Sequence, residues 1–148
     1  MTPNPRCCRG DDTVDKAAHL MMVADVGLLP VVTDRSHKLI GVLTDRDIVV
    51  KVVAKGRDAR STAVSEVMTG DPVFCGPEAP VDAALERMAT NQVRRMPIVD
   101  ARGVIVGIIS QADVATRLGK PAQTGQVVEA ISESDQTTIF IPSIPEGV

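Results

Sequence analysis

The sequence predicts an α+β fold made of two copies of one strand-helix-strand-strand-helix unit. The main observation is an internal repeat, because residues 29–32 (Leu-Pro-Val-Val) return as residues 96–99 (Met-Pro-Ile-Val), at an offset of 97 − 30 = 67. The same offset relates residues 1–5 (Met-Thr-Pro-Asn-Pro) to residues 68–72 (Met-Thr-Gly-Asp-Pro). Two further observations, a shared helical periodicity and a shared hairpin pattern, assign secondary structure to both copies.

Each copy contains an amphipathic helix whose apolar residues have the same phase. Starting from Val14 in the first copy and from Val81 in the second, apolar residues recur at positions i, i+3, i+4, i+7 and i+8. Met21, Met22 and Met88 fall on these stripes, where methionine usually fills a core. The pattern therefore predicts one core-facing helix in each copy.

A hairpin follows each of these helices. Its two strands are predicted at residues 30–33 and 39–43 in the first copy, and at residues 97–100 and 104–109 in the second. Each pair of apolar, β-branched runs encloses a polar turn, which is the pattern of an antiparallel hairpin.

A second helix completes each copy. It is predicted to run from Asp45 to about Lys55 in the first copy and from Gln111 to about Leu118 in the second, because Gly56 and Gly119 are stop signals.

A short helix at residues 64–68 and a strand around residues 73–74 are predicted to open the second copy, whereas the first copy lacks that leading helix. The predicted division of the chain is repeat 1 at residues 1–56, a polar linker at 57–63, repeat 2 at 64–119 and a partly disordered C-terminal tail at 120–148.

Composition and charge exclude several classes of protein. The net charge of −3 and the pI near 5.3 argue against nucleic-acid binding, and the chain has no Trp or Tyr on which bases could stack. No apolar run approaches the roughly 20 residues that span a bilayer, so we expect a cytoplasmic protein without a membrane partner. Cys7, Cys8 and Cys75 have no zinc-like spacing to a histidine and are expected to be reduced, structural thiols.

Two matching Ser/Thr and acid pairs are the strongest candidates for chemistry. Thr44 and Ser110 each follow a predicted strand, and Asp47 and Asp113 come three residues later, inside the next helix. These residues are typical of helix caps, and capping requires no ligand. The same arrangement also suits a phosphate at the helix start and a diol at the carboxylate.

Glycine precedes each of these pairs by three residues, at Gly41 and Gly107. A glycine inside a strand marks the close approach either of another backbone or of a ligand.

The chain resembles the CBS-domain pair, also called the Bateman module, over about residues 1–119. The resemblance is carried by residues 41–49 (Gly-Val-Leu-Thr-Asp-Arg-Asp-Ile-Val), residues 67–69 (Val-Met-Thr) and residues 92–99 (Gln-Val-Arg-Arg-Met-Pro-Ile-Val). It implies tandem CBS domains packed with pseudo-two-fold symmetry, and a cleft between the repeats that binds an adenosine nucleotide such as AMP, ADP or ATP. In that family the Thr or Ser contacts phosphate and the acid contacts ribose.

Basic residues make the two predicted sites unequal. Arg94 and Arg95 stand where the first copy has Gly27 and Leu28, and they either interact with the carbonyl end of a helix or reach phosphates. The resemblance implies the second role, for Arg46 as well. Adenine would lie against aliphatic side chains of the strands, for example around Leu29, Val73 and Met96. The complete set of candidate ligand-binding residues is Gly41, Thr44, Arg46, Asp47, Arg94, Arg95, Met96, Pro97, Gly107, Ser110, Asp113, Leu29, Pro30 and Val73.

The predicted function is regulation by a bound nucleotide rather than catalysis. No Ser/His/Asp or Cys/His arrangement is visible, because His19 and His37 lie outside the repeated motif. No cofactor is required, and the adenosine nucleotide is a regulatory ligand. The resemblance also implies a homodimer formed through the helices, and a protein partner that is not identified. The alternatives are a structural dimerisation or interaction module without nucleotide, or a binder of S-adenosylmethionine or a dinucleotide.

Overall fold

The computed structural model of the protein describes residues 2–118, which divide into two units. Unit 1 contains residues 2–5 and 73–118, and unit 2 contains residues 6–72. The tail at residues 120–148, which was predicted to be partly disordered, and the stop signal at Gly119 lie outside the described residues.

The described elements follow the predicted order in both copies. The strands are β1 (Thr2–Pro3), β2 (Cys8–Arg9), β3 (Leu28–Val32), β4 (Leu39–Thr44), β5 (Thr69–Gly70), β6 (Arg95–Val99) and β7 (Ile105–Ser110). The helices are α1 (Val14–Ala24), α2 (Asp45–Ile48), α3 (Val64–Val67), α4 (Val81–Asn91) and α5 (Gln111–Leu118). A π-helical segment, Val49–Val53, continues α2, so the second helix of the first copy has nearly its predicted length.

Each unit is organised around one antiparallel hairpin. In unit 2 the strand order is β2-β3-β4-β5, and Leu29 of β3 lies opposite Leu43 of β4. In unit 1 the order is β1-β7-β6, and Met96 of β6 lies opposite Ile109 of β7. These four side chains are fully buried, because each hairpin turns one face toward the helices of its own unit. The predicted hairpins are confirmed.

The leading strands are exchanged between the two sequence copies. Strand β1 begins the first copy but pairs with β7 in unit 1, where Pro3 lies opposite Gly107. Strand β5 belongs to the second copy but pairs with β4 in unit 2, where Gly70 lies opposite Gly41. The compact units therefore do not coincide with the two repeats of the sequence.

Close approach of strand β5 explains the glycine at position 41. A Cβ atom built there would lie 2.8 Å from the carbonyl oxygen of Thr69 and 2.7 Å from the sulfur of Met68. Of the two reasons that sequence analysis offered for this glycine, a neighbouring backbone is therefore sufficient.

The prediction of a strand around residues 73–74 is wrong. The segment makes a single parallel bridge one residue later, between Cys75 and Ile98, in which the Val99 N–H donates to the Cys75 carbonyl at 2.9 Å. Gly76 and Pro77 follow, and because proline has no N–H the ladder cannot continue. In the first copy the equivalent position is Cys8 of strand β2, which is bonded in parallel to β3.

Residues 57–63, predicted as a polar linker, fold back against the start of α1 within unit 2. The carbonyls of Thr62 and Ala59 accept hydrogen bonds from the N–H groups of Val14 and Asp15, at 2.9 and 3.0 Å. Helix α3 follows directly, and its Val64 N–H donates to the Asp12 carbonyl at 2.9 Å. The segment that joins the two sequence copies thus supplies acceptors for N–H groups that a helix start leaves unbonded.

The three cysteines are free thiols in the described structure. Cys8 and Cys75 are buried and Cys7 is half-buried. Burial raises the pKa of Cys7 to about 11. Burial, helped by the negative charge of Asp12, raises the pKa of Cys8 to about 12. Among residues 2–118, no helix has the length and apolar character needed to cross a bilayer.

Replacing Gly41 by alanine is expected to destabilise the protein by about 1 to 3 kcal/mol, because the new methyl group would push against the fixed carbonyl of Thr69. Chemical unfolding followed by far-ultraviolet circular dichroism measures the change. The matched control is Gly70→Ala on the facing strand, where a Cβ atom would meet nothing within 4 Å. Equal stability of the two variants would contradict the packing of β5 on β4.

The raised thiol pKa values predict a specific pH dependence. Because the native state holds these protons more tightly than the unfolded chain, the thiol contribution to stability is complete below pH 9.0. It is lost as the pH rises through the folded-state pKa values, which are about 11 for Cys7 and about 12 for Cys8. Native protein at pH 8 should therefore react slowly with iodoacetamide, whereas protein unfolded in urea should react quickly. Rapid alkylation of native Cys7 at pH 8 would be inconsistent with its position.

Candidate functional site

The first candidate pair, Thr44 and Asp47, forms a closed capping box at the start of α2. The Thr44 hydroxyl accepts a hydrogen bond from the Asp47 N–H at 3.0 Å, and the Asp47 carboxylate accepts one from the Thr44 N–H at 3.0 Å. Thr44 has extended backbone angles, as an N-cap residue requires. Both side chains are half-buried, so they remain accessible at the end of strand β4.

The second pair, Ser110 and Asp113, repeats this geometry at the start of α5. The Ser110 hydroxyl accepts from the Asp113 N–H at 3.0 Å, and Asp113 accepts from the Ser110 N–H at 3.1 Å. Ser110 is 6% exposed, which is less than Thr44, and Asp113 is half-buried. The capping role that the sequence indicated is therefore present in both units.

Capping uses only part of the hydrogen-bonding capacity of these side chains. Each hydroxyl serves as an acceptor in the box, so its hydrogen can still donate to an oxygen of a ligand. Each carboxylate offers about four lone-pair positions, of which the box uses one. A capped helix start can therefore also receive a phosphate and a diol.

Hairpin register places Arg95 beside the second pair. Arg95, the first residue of β6, lies directly opposite Ser110, the last residue of β7. The preceding carbonyl, that of Arg94, accepts a hydrogen bond from the Gln111 N–H at 2.8 Å. Residues directly opposite each other in an antiparallel pair have neighbouring side chains. Arg95 is half-buried and Arg94 is exposed.

Unit 2 has the same backbone frame with different side chains. Leu28 lies opposite Thr44, and the Gly27 carbonyl accepts from the Asp45 N–H at 3.0 Å. The position beside the hydroxyl is therefore a buried leucine in unit 2 and an arginine in unit 1. Arg46, the other predicted basic residue, is exposed in the first turn of α2.

Lys51 is a site residue that sequence reasoning missed. Its ammonium group lies 3.2 Å from Asp47 Oδ1 and donates a hydrogen bond to the Val67 carbonyl at 3.0 Å. It therefore links the acid of the first pair to the end of α3. The available signal was its spacing of four residues from Asp47 along a predicted helix. The sequence has Arg117 at the same spacing from Asp113, and that side chain lies outside the description.

The remaining candidates divide between core and surface. Leu29 and Met96 are 0% exposed and belong to the cores of their units, so these side chains do not face a ligand. Pro30, Pro97 and Gly107 are also buried within their sheets. Val73 is half-buried against the core of unit 1, and of the three predicted adenine contacts it is the one that keeps accessible apolar surface.

Among residues 2–118, no group of three or more His, Cys, Asp or Glu side chains is arranged so that it could hold a metal ion.

Comparison with known proteins identifies the family of the chain. The family description of the CBS domain matches the chain twice, at residues 1–54 and 64–120. The CBS domain-containing protein YhcV of Bacillus subtilis is 37% identical over 135 residues, which cover 91% of this chain and 94% of YhcV.

Two solved structures are also similar. Hypoxic Response Protein I, with two coordinated zinc ions, has a TM-score of 0.72 and 34% identity, and the match covers 80% of this chain and 94% of that one. In sequence, Hypoxic response protein 1 of Mycobacterium tuberculosis is 34% identical to this chain over 131 residues. CBSX2 in complex with AMP has a TM-score of 0.67 and 28% identity, and the match covers 78% of this chain and 90% of CBSX2. The chain belongs to the CBS-domain family and carries a tandem pair of these domains.

Proposed function

We propose that this CBS pair is a regulatory module whose ligand is an adenosine nucleotide, bound most strongly at the start of α5 in unit 1. The observation that carries the proposal is the position of Arg95 opposite Ser110, next to the Asp113 carboxylate. Ligand binding favours one conformation of the pair, and a partner protein responds to the change in population.

Phosphate recognition would use the hydroxyl and the guanidinium together. The Ser110 hydroxyl donates to one phosphate oxygen, and the Arg95 guanidinium supplies planar, charged donors that match phosphate geometry. A positive helix end behind Ser110 adds a favourable field, because α5 starts at Gln111. The anion would be held locally, which agrees with a chain whose net charge is −3.

The nucleoside would be recognised by an acid and an apolar contact. Asp113 retains lone pairs that can accept hydrogen bonds from the two hydroxyls of a ribose. Val73 offers apolar surface to the base in the same unit. The complex of CBSX2 with AMP supports this ligand class for a similar fold.

Unit 2 is proposed to bind the same ligand more weakly. Leu28 provides no charge beside Thr44, and Lys51 already occupies one oxygen of Asp47. A ligand that used Asp47 would have to share this carboxylate with Lys51, which would couple binding to α3 through the Val67 carbonyl.

A homodimer is proposed through an exposed apolar surface of unit 2. This valine surface consists of Met22, Val23, Val49, Val50 and Val53, which are between 40% and 68% exposed. The residues come from α1 and from the π-helical segment, and a second copy of the chain is the proposed occupant. Apolar surface of this kind on adjoining helices is costly to leave in water.

A structural interaction module is the second candidate function. The observation in its favour is that both hydroxyls and both carboxylates already form hydrogen bonds within their own capping boxes. It would dimerise in the same way and would bind no nucleotide.

Thermal melts with AMP, ADP, ATP and S-adenosylmethionine test the nucleotide proposal, followed by calorimetric titration of the best ligand. A ligand at 100 times its Kd should stabilise the protein by about 2.7 kcal/mol. Arg95→Leu gives unit 1 the residue that unit 2 has at the equivalent position, Leu28. This change should weaken nucleotide binding about tenfold or more, because a charge-assisted contact is lost. The matched control is Arg102→Leu, which removes the same charge at the turn end of the same hairpin.

Each outcome of this experiment has a distinct meaning. No shift with any of the four ligands would favour the structural module. Binding of S-adenosylmethionine alone, unaffected by Arg95→Leu, would replace the nucleotide by a ligand without phosphate. Sustained nucleotide turnover by the purified protein would contradict a purely regulatory role.

Val53→Asp is expected to convert the dimer to a monomer, because dimerisation through the valine surface would bury the new, unpaired charge. Light scattering at micromolar concentration measures the mass. The control is Phe74→Asp, which places the same charge on an exposed residue of unit 1. A monomeric mass for the unmodified chain would rule out this interface.

A further inference from the structure

Lys51 joins the ends of two helices in unit 2. Its ammonium group lies 3.2 Å from Oδ1 of Asp47, in the first turn of α2. The same group donates a hydrogen bond at 3.0 Å to the carbonyl of Val67, the last residue of α3. A lysine is favourable at the end of a helix, where the last carbonyls have no partner within the helix. One side chain thus contacts both the candidate site at Asp47 and the end of α3.

Both members of the ion pair are held in place by the fold. Lys51 lies inside the π-helical segment Val49–Val53, and its neighbour Val52 is 1% exposed and belongs to the core of unit 2. Asp47 is fixed because its other oxygen, Oδ2, accepts from the Thr44 N–H. The Asp47 side chain is 14% exposed and that of Lys51 is 41% exposed, so a ligand can reach the contact. Turns of π-helix within a longer helix are frequent at functional sites.

The charge of Asp47 keeps the ammonium group at the Val67 carbonyl. Ordering a lysine side chain costs conformational entropy, and a hydrogen bond from an ammonium group to one carbonyl competes with hydrogen bonds to water. Attraction to the Asp47 carboxylate adds the charge-assisted contact that holds the side chain in one conformation. A ligand that binds Asp47, or that places a phosphate beside Thr44, would therefore draw Lys51 away from Val67.

The Val67 carbonyl belongs to the peptide group that connects α3 to strand β5. The N–H of this peptide group is that of Met68, which donates to the Val64 carbonyl at 2.9 Å and closes α3. The peptide group is therefore held by α3 through its N–H and by Lys51 through its oxygen. Val67 is 2% exposed, so losing the Lys51 hydrogen bond would weaken the attachment of a buried carbonyl.

Strand β5, which follows this peptide group, is short. It consists of Thr69 and Gly70, which pair with Val42 and Gly41 of β4. Met68 packs so closely beside β4 that a Cβ atom built at Gly41 would lie 2.7 Å from its sulfur. Strands in globular proteins usually have roughly five or six residues, so a strand of this length opens more easily than most. The position of β5 therefore depends on the peptide group just before it.

The chain leaves unit 2 directly after β5. Unit 2 ends at Pro72, and the chain continues in unit 1 from Val73. A change in the pairing of β5 thus acts on the segment of chain that connects the two units.

We propose that Lys51 couples the Asp47 carboxylate to strand β5. A ligand that takes Asp47 from Lys51 loosens the peptide group between Val67 and Met68 and shifts the population toward an unpaired β5. A nucleotide as the trigger rests on the function proposed above, whereas the coupling of Asp47 to β5 is a property of the chain itself.

Hydrogen exchange of the Met68 amide in the full chain tests the coupling without any ligand. Lys51→Met and Asp47→Asn should each speed this exchange about threefold or more, because each removes one charged partner of the contact. Asparagine keeps a side-chain oxygen that can accept from the Thr44 N–H, so only the charge is lost. The two changes act on one contact, and the double variant should therefore show no further increase.

The matched controls are Lys55→Met and Asp45→Asn. They remove the same charges four residues after Lys51 and two residues before Asp47, and neither residue is a partner in the contact. Both controls should leave Met68 exchange unchanged.

The amides of Val14 and Asp15, which are hydrogen-bonded at the start of α1, report the stability of unit 2 as a whole and should keep their exchange rates in all variants. If Lys51→Met also speeds exchange at these two amides, Asp47→Asn decides. Unchanged Met68 exchange in Asp47→Asn, additive effects in the double variant, or equal effects in the controls would overturn the coupling.

Addition of AMP tests the trigger. At a concentration that saturates binding in calorimetric titration, AMP should speed Met68 exchange about threefold or more in the unmodified chain and should cause no further change in Lys51→Met. Saturation by AMP with unchanged Met68 exchange would refute transmission through Lys51. Absence of AMP binding would contradict the proposed function alone, and the comparison without ligand would still decide whether Lys51 couples Asp47 to β5.

Discussion

Each unit depends on the register of one antiparallel hairpin. The pairing of Leu29 with Leu43, and of Met96 with Ile109, directs these side chains into the cores. The same ladders end with Leu28 opposite Thr44 and Arg95 opposite Ser110, where the next helix begins. A slip of one residue would move the core side chains to the other face and would also separate Arg95 from Ser110. Core and candidate site are therefore fixed by one set of backbone hydrogen bonds.

Local features of the fold could be predicted because their causes are local. The helical stripes from Val14 and Val81 and the capping pairs at Thr44 and Ser110 depend on residues within about one or two turns of each other. The hairpins joined by short polar turns are also of this kind. A strand at residues 73–74 was expected from its apolar character, but Pro77 stops the ladder after one bridge.

Features that depend on distant parts of the chain could not be predicted. Gly41 packs against the backbone of Thr69, and neither local sequence predicts that strands β4 and β5 pair. Lys51 contacts the Val67 carbonyl for the same reason. Leu29 and Met96 were expected to contact adenine because the sequence offers aliphatic and not aromatic side chains there, but their inward position in the sheet places them in the cores.

Because the leading strands are exchanged, the residues of the two units become complete at different times during synthesis on the ribosome. Unit 2 is built from the continuous stretch of residues 6–72, so all of its strands are available once that stretch has emerged. In unit 1, strand β1 pairs with β7, where Thr2 lies opposite Ile108. Strand β1 therefore cannot pair until almost the whole described chain has been synthesised. Because domains fold as units during synthesis, unit 2 can form while translation continues, whereas unit 1 closes its sheet only near the end. A chain cut between the two sequence repeats would lose β5 from unit 2 and β1 from unit 1, so the repeat that is visible in the sequence is not the piece that can fold by itself.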